Sequence, residues 1–254
     1  MPDTVLLHVS ERIATLTLNR PAARNAMSSE LLTTLQATLA DVDGRDDVDV
    51  IILTGADPAF CAGLDLKELG STASAGGDHV GQMAVQRPID PTTKPLIGAI
   101  NGVAITGGFE LALACDFLVA SERAKFGDTH ARVGIMPGWG LTVLLPQAIG
   151  VRRAREMSFT GNFMDAEEAL RCGLVNRVVA HEDLLPVTRS IAADIVGTDQ
   201  SGVRQIRATY AEIHGNSEGL AIEHRHSVDW QRQRFDPAAV AARRAAIQAR
   251  GKSQ

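Results

Sequence analysis

The stretch that most limits what this chain can fold into runs from Asn101 to Asp116, NGVAITGGFELALACD. An apolar run, Pro95 to Ile100, stops at Asn101-Gly102; a second short run ends at Gly107-Gly108, and Phe109 to Cys115 is rich in Leu and Ala. That order predicts a strand, a tight turn and a helix entered through two glycines. Such a helix is apolar nearly all round and belongs in a core, yet its first turn carries a carboxylate, Glu110. A buried carboxylate needs a partner or a task. Glycine amides at a helix start point free N–H groups at whatever sits there, and Glu110 lies one turn past Gly107 on the same face. One turn thus sets an anion-stabilising donor beside an acid or base; read structurally, the same Glu compensates the helix end.

With 254 residues and 45% apolar content the chain can bury a large core, as one domain or one with a small helical appendage. A net charge of −5 gives no global basic field for nucleic acid, and no apolar run reaches the ~18 residues of a membrane span. An anionic ligand must therefore be met by local cations. The N-terminus, MPDTVLLHVSERIATL, lacks the pattern of a secretory leader, so a cytoplasmic enzyme is expected. Cys61, Cys115 and Cys172 are far apart in apolar surroundings and are expected to be buried small hydrophobes, not a disulfide or metal framework.

Along the chain, Val5 to Val9 and Ile13 to Leu18 predict a hairpin, Ser28 caps a helix to about Val42, and Val48 to Thr54 is a β-branched strand. This alternation favours α/β or a layered β/α spiral. In AFCAGLDLKEL (59–69) a glycine precedes a helix expected over Asp65 to Leu69, a second place where helix-start amides are free to bind an anion. The two candidate donors are thus the Leu64 and Gly107 N–H groups. Between them Gly70 to Gly81 is expected to be a mobile loop over a site. Ala124 to Gly140, AKFGDTHARVGIMPGWG, carries four glycines, His130 and Trp139 and predicts a pocket wall. Helices are expected over Leu141–Ile149, Arg152–Phe159 and Asp165–Cys172, a last strand over Leu174–Val179, then helices over His181–Ile195, Ser201–His214, Gly219–Arg232 and Pro237–Ala249. The composition shift near Ala180 divides a core, 1–180, from a helical subdomain, 181–254.

AFCAGLDLKEL, NGVAITGGFELALACD and AKFGDTHARVGIMPGWG, in this order and with LNRPAARNAMSSEL before them, resemble the enoyl-CoA hydratase/isomerase (crotonase) family over most of residues 5–180. The resemblance implies a spiral of β-β-α turns with a helical, trimer-forming C-terminal part. It also implies a homotrimer or dimer of trimers and an acyl-CoA thioester substrate. Neither metal nor redox cofactor is implied, since CoA enters as part of the substrate. In that family two backbone N–H groups hold the thioester oxygen, and they fall on Leu64 and Gly107. Hydratases of the family share a water between two glutamates; one aligns with Glu110, but the other position is His130. Gly138 matches a glycine whose amide helps to place the water, and Trp139 is bulky where small residues are common. Arg24 and Lys67 fall where relatives approach the CoA nucleotide, Ala62, Asp65 and Trp139 are expected with them to bind the substrate, and Arg243, Arg244, Arg250 and Lys252 lie on a helix that can reach phosphates in relatives. The usual aromatic of that helix is missing.

The implied reaction is reversible hydration of a trans-2-enoyl-CoA to a 3-hydroxyacyl-CoA through a thioester enolate. His130 leaves open an isomerase, another crotonase-type acyl-CoA enzyme, or a non-catalytic acyl-CoA binder. A lightly perturbed imidazole would titrate between about pH 6 and 7.

Overall fold

The computed structural model describes residues 3–65, 68, 87–236, 238–240 and 242–243. Lys67, the loop Gly70 to Gly81, Arg244, Arg250 and Lys252 lie outside the described residues, as do most residues of the helices expected over Asp65–Leu69 and Pro237–Ala249. The chain opens with the expected hairpin: β1 (Val5–Ser10) and β2 (Ile13–Leu18) pair antiparallel through Glu11 and Arg12, whose φ values of 54° and 63° suit a two-residue turn. Helix α1 (Ser29–Gly44) starts where Ser28 Oγ accepts the Leu31 N–H at 3.2 Å, and it buries Leu31, Leu35, Leu39 and Val42 along one stripe. Its last carbonyls are met from a distance. The buried Lys94 donates from Nζ to Val42 O at 2.7 Å and Arg45 O at 2.5 Å.

Three β-β units follow. They are β3 (Val50–Gly55) with β4 (Ala59–Cys61), β5 (Leu96–Ile100) with β6 (Val103–Ile105), and β7 (Phe117–Ser121) with β8 (Lys125–Gly127). The second continues into α2 (Gly107–Leu113) and the third into α3 (His130–Val133). Then come α4 (Leu141–Ile149), α5 (Val151–Thr160), β9 (Phe163–Asp165), α6 (Ala166–Arg171), β10 (Arg177–Val179), α7 (Leu184–Val196), α8 (Gln200–His214) and α9 (Ser217–Arg234). The first strand of each unit enters one sheet, ordered β1-β2-β3-β5-β7-β10, and the second enters another, ordered β4-β6-β8-β9. That repeated splitting is the β-β-α spiral.

Every residue of β3 and β5 is buried, as a parallel sheet covered on both faces requires. Alternate residues serve opposite faces: Ile51 and Leu53 join the main core with Leu35, Phe109 and Phe126, whereas Val50 and Ile52 pack under Leu184 and Ala192 of α7. Strands β4 and β9, three residues each, were not expected from the sequence. Of the cysteines, all free, Cys61 is fully buried and its thiol is pushed up to about 12 by burial; Cys115 and Cys172 are only half-buried at the core's edge, a correction to the expected full burial.

Candidate active site

The site is assembled where the β6–α2 turn stacks on β4 and the segment after it. Thr106, with φ 56° and ψ −118°, swings the chain from β6 into α2. A Cβ on Gly108 would lie 2.2 Å from Cys61 O, so only glycine lets α2 rest on β4. The segment after β4 bridges Met27: the Met27 N–H donates to Gly63 O at 2.8 Å and the Asp65 N–H to Met27 O at 2.9 Å. Alternation along an extended chain then turns the Leu64 N–H to the opposite side. Gly107 is the first residue of α2, so its N–H has no acceptor within the helix.

Glu110 is buried one turn into α2. Its Oε1 accepts the N–H groups of Trp139 at 2.9 Å and Gly138 at 3.2 Å, and its Oε2 faces His130 Nε2 at 3.4 Å. On the far side of the imidazole, Nδ1 lies 2.7 Å from Asp128 Oδ1, which also accepts the His130 backbone N–H at 3.1 Å. This local i to i+2 turn fixes the ring before any tertiary contact is counted. Asp128, His130 and Glu110 form a buried row. Burial alone pulls the His130 pKa down; the charge of Glu110, the hydrogen bonds to Asp128 and Glu110 and the charge of Asp128 outweigh it and raise the imidazole to about 10. Burial pushes Asp128 up, and its bonds to His130 and Ser158 and the His130 charge bring it below its ordinary value. His130 is therefore a cation at neutral pH that donates from both nitrogens. The expectation of a lightly perturbed imidazole titrating between pH 6 and 7 is corrected: two carboxylates hold the buried ring, one at each nitrogen.

Leu64, Gly107, Glu110, His130, Gly138 and Trp139 line a single cavity of about 20 Å³. That is room for one water. Trp139, buried in the core, stands over Gly107: a Cβ there would meet its ring at 3.1 Å. Ser227 and Gln231 of α9 complete the wall.

Other expected residues stand apart from this lining. Arg24 is exposed, and its carbonyl accepts the Ala62 N–H at 3.0 Å. Asp65 pairs with Arg20 at 2.9 Å. Arg243 donates to Val133 O at 3.3 Å. Asp128, Ser227 and Gln231 were missed in the sequence; an Asp two residues before a His signals the first, whereas Ser227 and Gln231 lie on a helix that is polar on most sides and are set apart only by their burial.

The Enoyl-CoA hydratase/isomerase family pattern matches residues 8–231, and the chain belongs to this family. A plant relative from Arabidopsis thaliana, named "Probable enoyl-CoA hydratase 1, peroxisomal", is 40% identical over 227 residues, spanning 87% of this chain and 81% of that protein. The crystal structure of enoyl-CoA hydratase from Mycobacterium smegmatis matches with a TM-score of 0.82 at 51% identity, covering 90% of this chain and 98% of that one. A monofunctional enoyl-CoA isomerase from M. smegmatis matches with a TM-score of 0.70 at 34% identity, covering 86% and 98%. Among the described residues no helix is long and apolar enough to cross a membrane.

Proposed function

We propose that the chain reversibly adds water to a trans-2-enoyl-CoA to give a 3-hydroxyacyl-CoA. The observation that carries this reading is the buried Glu110–His130 pair on a one-water cavity that Leu64 and Gly107 also line. The Leu64 and Gly107 N–H groups hold the thioester oxygen as it gains enolate charge, a donor role worth about 2.7–4 kcal/mol each. Glu110, its Oε1 occupied by the Gly138 and Trp139 amides, takes a proton from the water with Oε2 as the water oxygen bonds to Cβ. The π electrons move toward the thioester, and His130 delivers its Nε2 proton to Cα. Transfer of the proton from Glu110 to His130 across the 3.4 Å contact resets the pair.

The steps are proton transfers and addition of the water oxygen to Cβ, with no change of electron count, so the reading calls for no metal or redox cofactor. Arg24 and Lys67 are proposed to meet the CoA nucleotide, Ala62 and Asp65 to bind the substrate beside the Leu64 donor, and Trp139 to limit the acyl pocket. Residues 181–254 are proposed as the assembly region of a cytoplasmic homotrimer or dimer of trimers; Ile206, Tyr210 and Ile213, exposed on α8, support that role. The test is the enoyl chromophore of crotonyl-CoA. Its absorbance is expected to fall on adding the protein and to be regained from 3-hydroxybutyryl-CoA. No change with any chain length, alongside shift of a 3-enoyl-CoA double bond, would move the assignment to the isomerases.

A further inference from the structure

Helix α9 carries a polar stripe that the reaction as written does not use. Glu223, Ser227 and Gln231 recur every four residues on one face, and all three are buried. Glu223 accepts the N–H groups of Gly140 and Thr142 at 2.5 Å each, and the Thr142 hydroxyl. Ser227 Oγ donates to Met136 O at 3.2 Å and lies against Gly138, where a Cβ would come within 2.8 Å of that oxygen. Those two turns seat α9 on the loop 136–142. Gln231, one turn further, is 7% exposed and lines the cavity with Glu110 and His130, yet its Oε1 has no hydrogen-bond partner. A buried amide oxygen is costly to leave unpaired and calls for an explanation.

His130 as a cation only donates, so Glu110 Oε2 is the single acceptor the pair offers to a water that has two O–H donors. Resting on the hydratase reading, we propose that Gln231 is a further catalytic residue, whose Oε1 accepts the water's second O–H while Glu110 removes the first. The water oxygen is then turned with a lone pair toward Cβ. The O–H held by Gln231 stays on oxygen throughout and becomes the 3-hydroxyl of the product, so no extra reactant is needed and Gln231 holds the product hydroxyl as well.

The test compares the full-length wild type with Gln231→Met, which keeps bulk and removes the acceptor, Gln231→Asn, which withdraws it by one carbon, and Gln231→Glu, which replaces it. Crotonyl-CoA hydration is measured beside deuterium exchange at Cα of butyryl-CoA, which needs no water at Cβ. Gln231→Met and Gln231→Asn are expected to lower hydration kcat about 10- to 100-fold while KM and exchange stay within about threefold, and Gln231→Glu to stay within about tenfold of wild type. Unchanged hydration in the folded Met or Asn variant, or equal loss of hydration and exchange, would overturn the assignment; should Gln231→Met not fold, Gln231→Asn and Gln231→Glu decide it. A wild type that hydrates no enoyl-CoA removes the hydratase reading and this inference with it, a result distinct from an active enzyme indifferent to Gln231.

Discussion

Glu110 on α2 and Glu223 on α9 reach the loop 138–142 from different helices, and each accepts two of its backbone amides. Glu223 divides them between its oxygens, Gly140 on Oε1 and Thr142 on Oε2, and adds the Thr142 hydroxyl. It thereby caps α4, whose own N-cap residue, Gly140, has no side chain to do so. Burial raises the Glu223 pKa, opposed by the Thr142 hydroxyl, with the Glu110 charge adding to the rise and the backbone bonds resisting it. Glu110 instead receives both amides on Oε1 and keeps Oε2 for His130 and the cavity. Burial of a carboxylate therefore does not mark chemistry. The oxygen left over once the backbone donors are assigned does.

The sharpest way to break this contrast is Glu110→Gln, which keeps an oxygen for the loop amides and removes the base. Crotonyl-CoA turnover is expected to fall by about 10⁴, with acyl-CoA affinity within about tenfold and a lower melting temperature, since the buried His130 loses one of its two carboxylate partners. Equal loss of binding and turnover would make Glu110 a structural twin of Glu223. A smaller effect is expected for His130→Ala: hydration lower by about 10², because water entering the enlarged cavity replaces part of the proton donor, with binding little changed. Unchanged hydration in this variant would remove His130 from the reaction. The smallest effect on chemistry belongs to Glu223→Gln. Its expected cost is about 1–3 kcal/mol of stability, read from the denaturant midpoint, with turnover per folded molecule within about threefold.

What the sequence made legible follows the range of the interactions. The hairpin, the Ser28 cap, the Gly107-Gly108 helix entry and the buried Glu110 are all signalled within a few residues. Strands β4 and β9 are too short to show a period, so pairing alone reveals them. Gln231 stands more than a hundred residues along the chain from Glu110, and only the seating of α9 against Gly138 brings the two together. The position of His130 was readable, but its charge state was not, because that depends on Asp128 behind it and Glu110 before it, all three buried.

The central claim, a cationic His130 working against Glu110, is tested most directly by the pH profile of crotonyl-CoA hydration. The folded imidazole stands at about 10, above its ordinary 6.5. The stability drawn from its charge is thus complete below pH 6.5 and lost as pH rises through 10. The proton that His130 delivers stays on the folded ring until the pH nears 10. The account predicts a rate that stays level from neutral pH to about pH 9 and falls near pH 10, with that fall absent in His130→Ala. A rate that drops between about pH 6 and 7 in the wild type, and does not in His130→Ala, would contradict it.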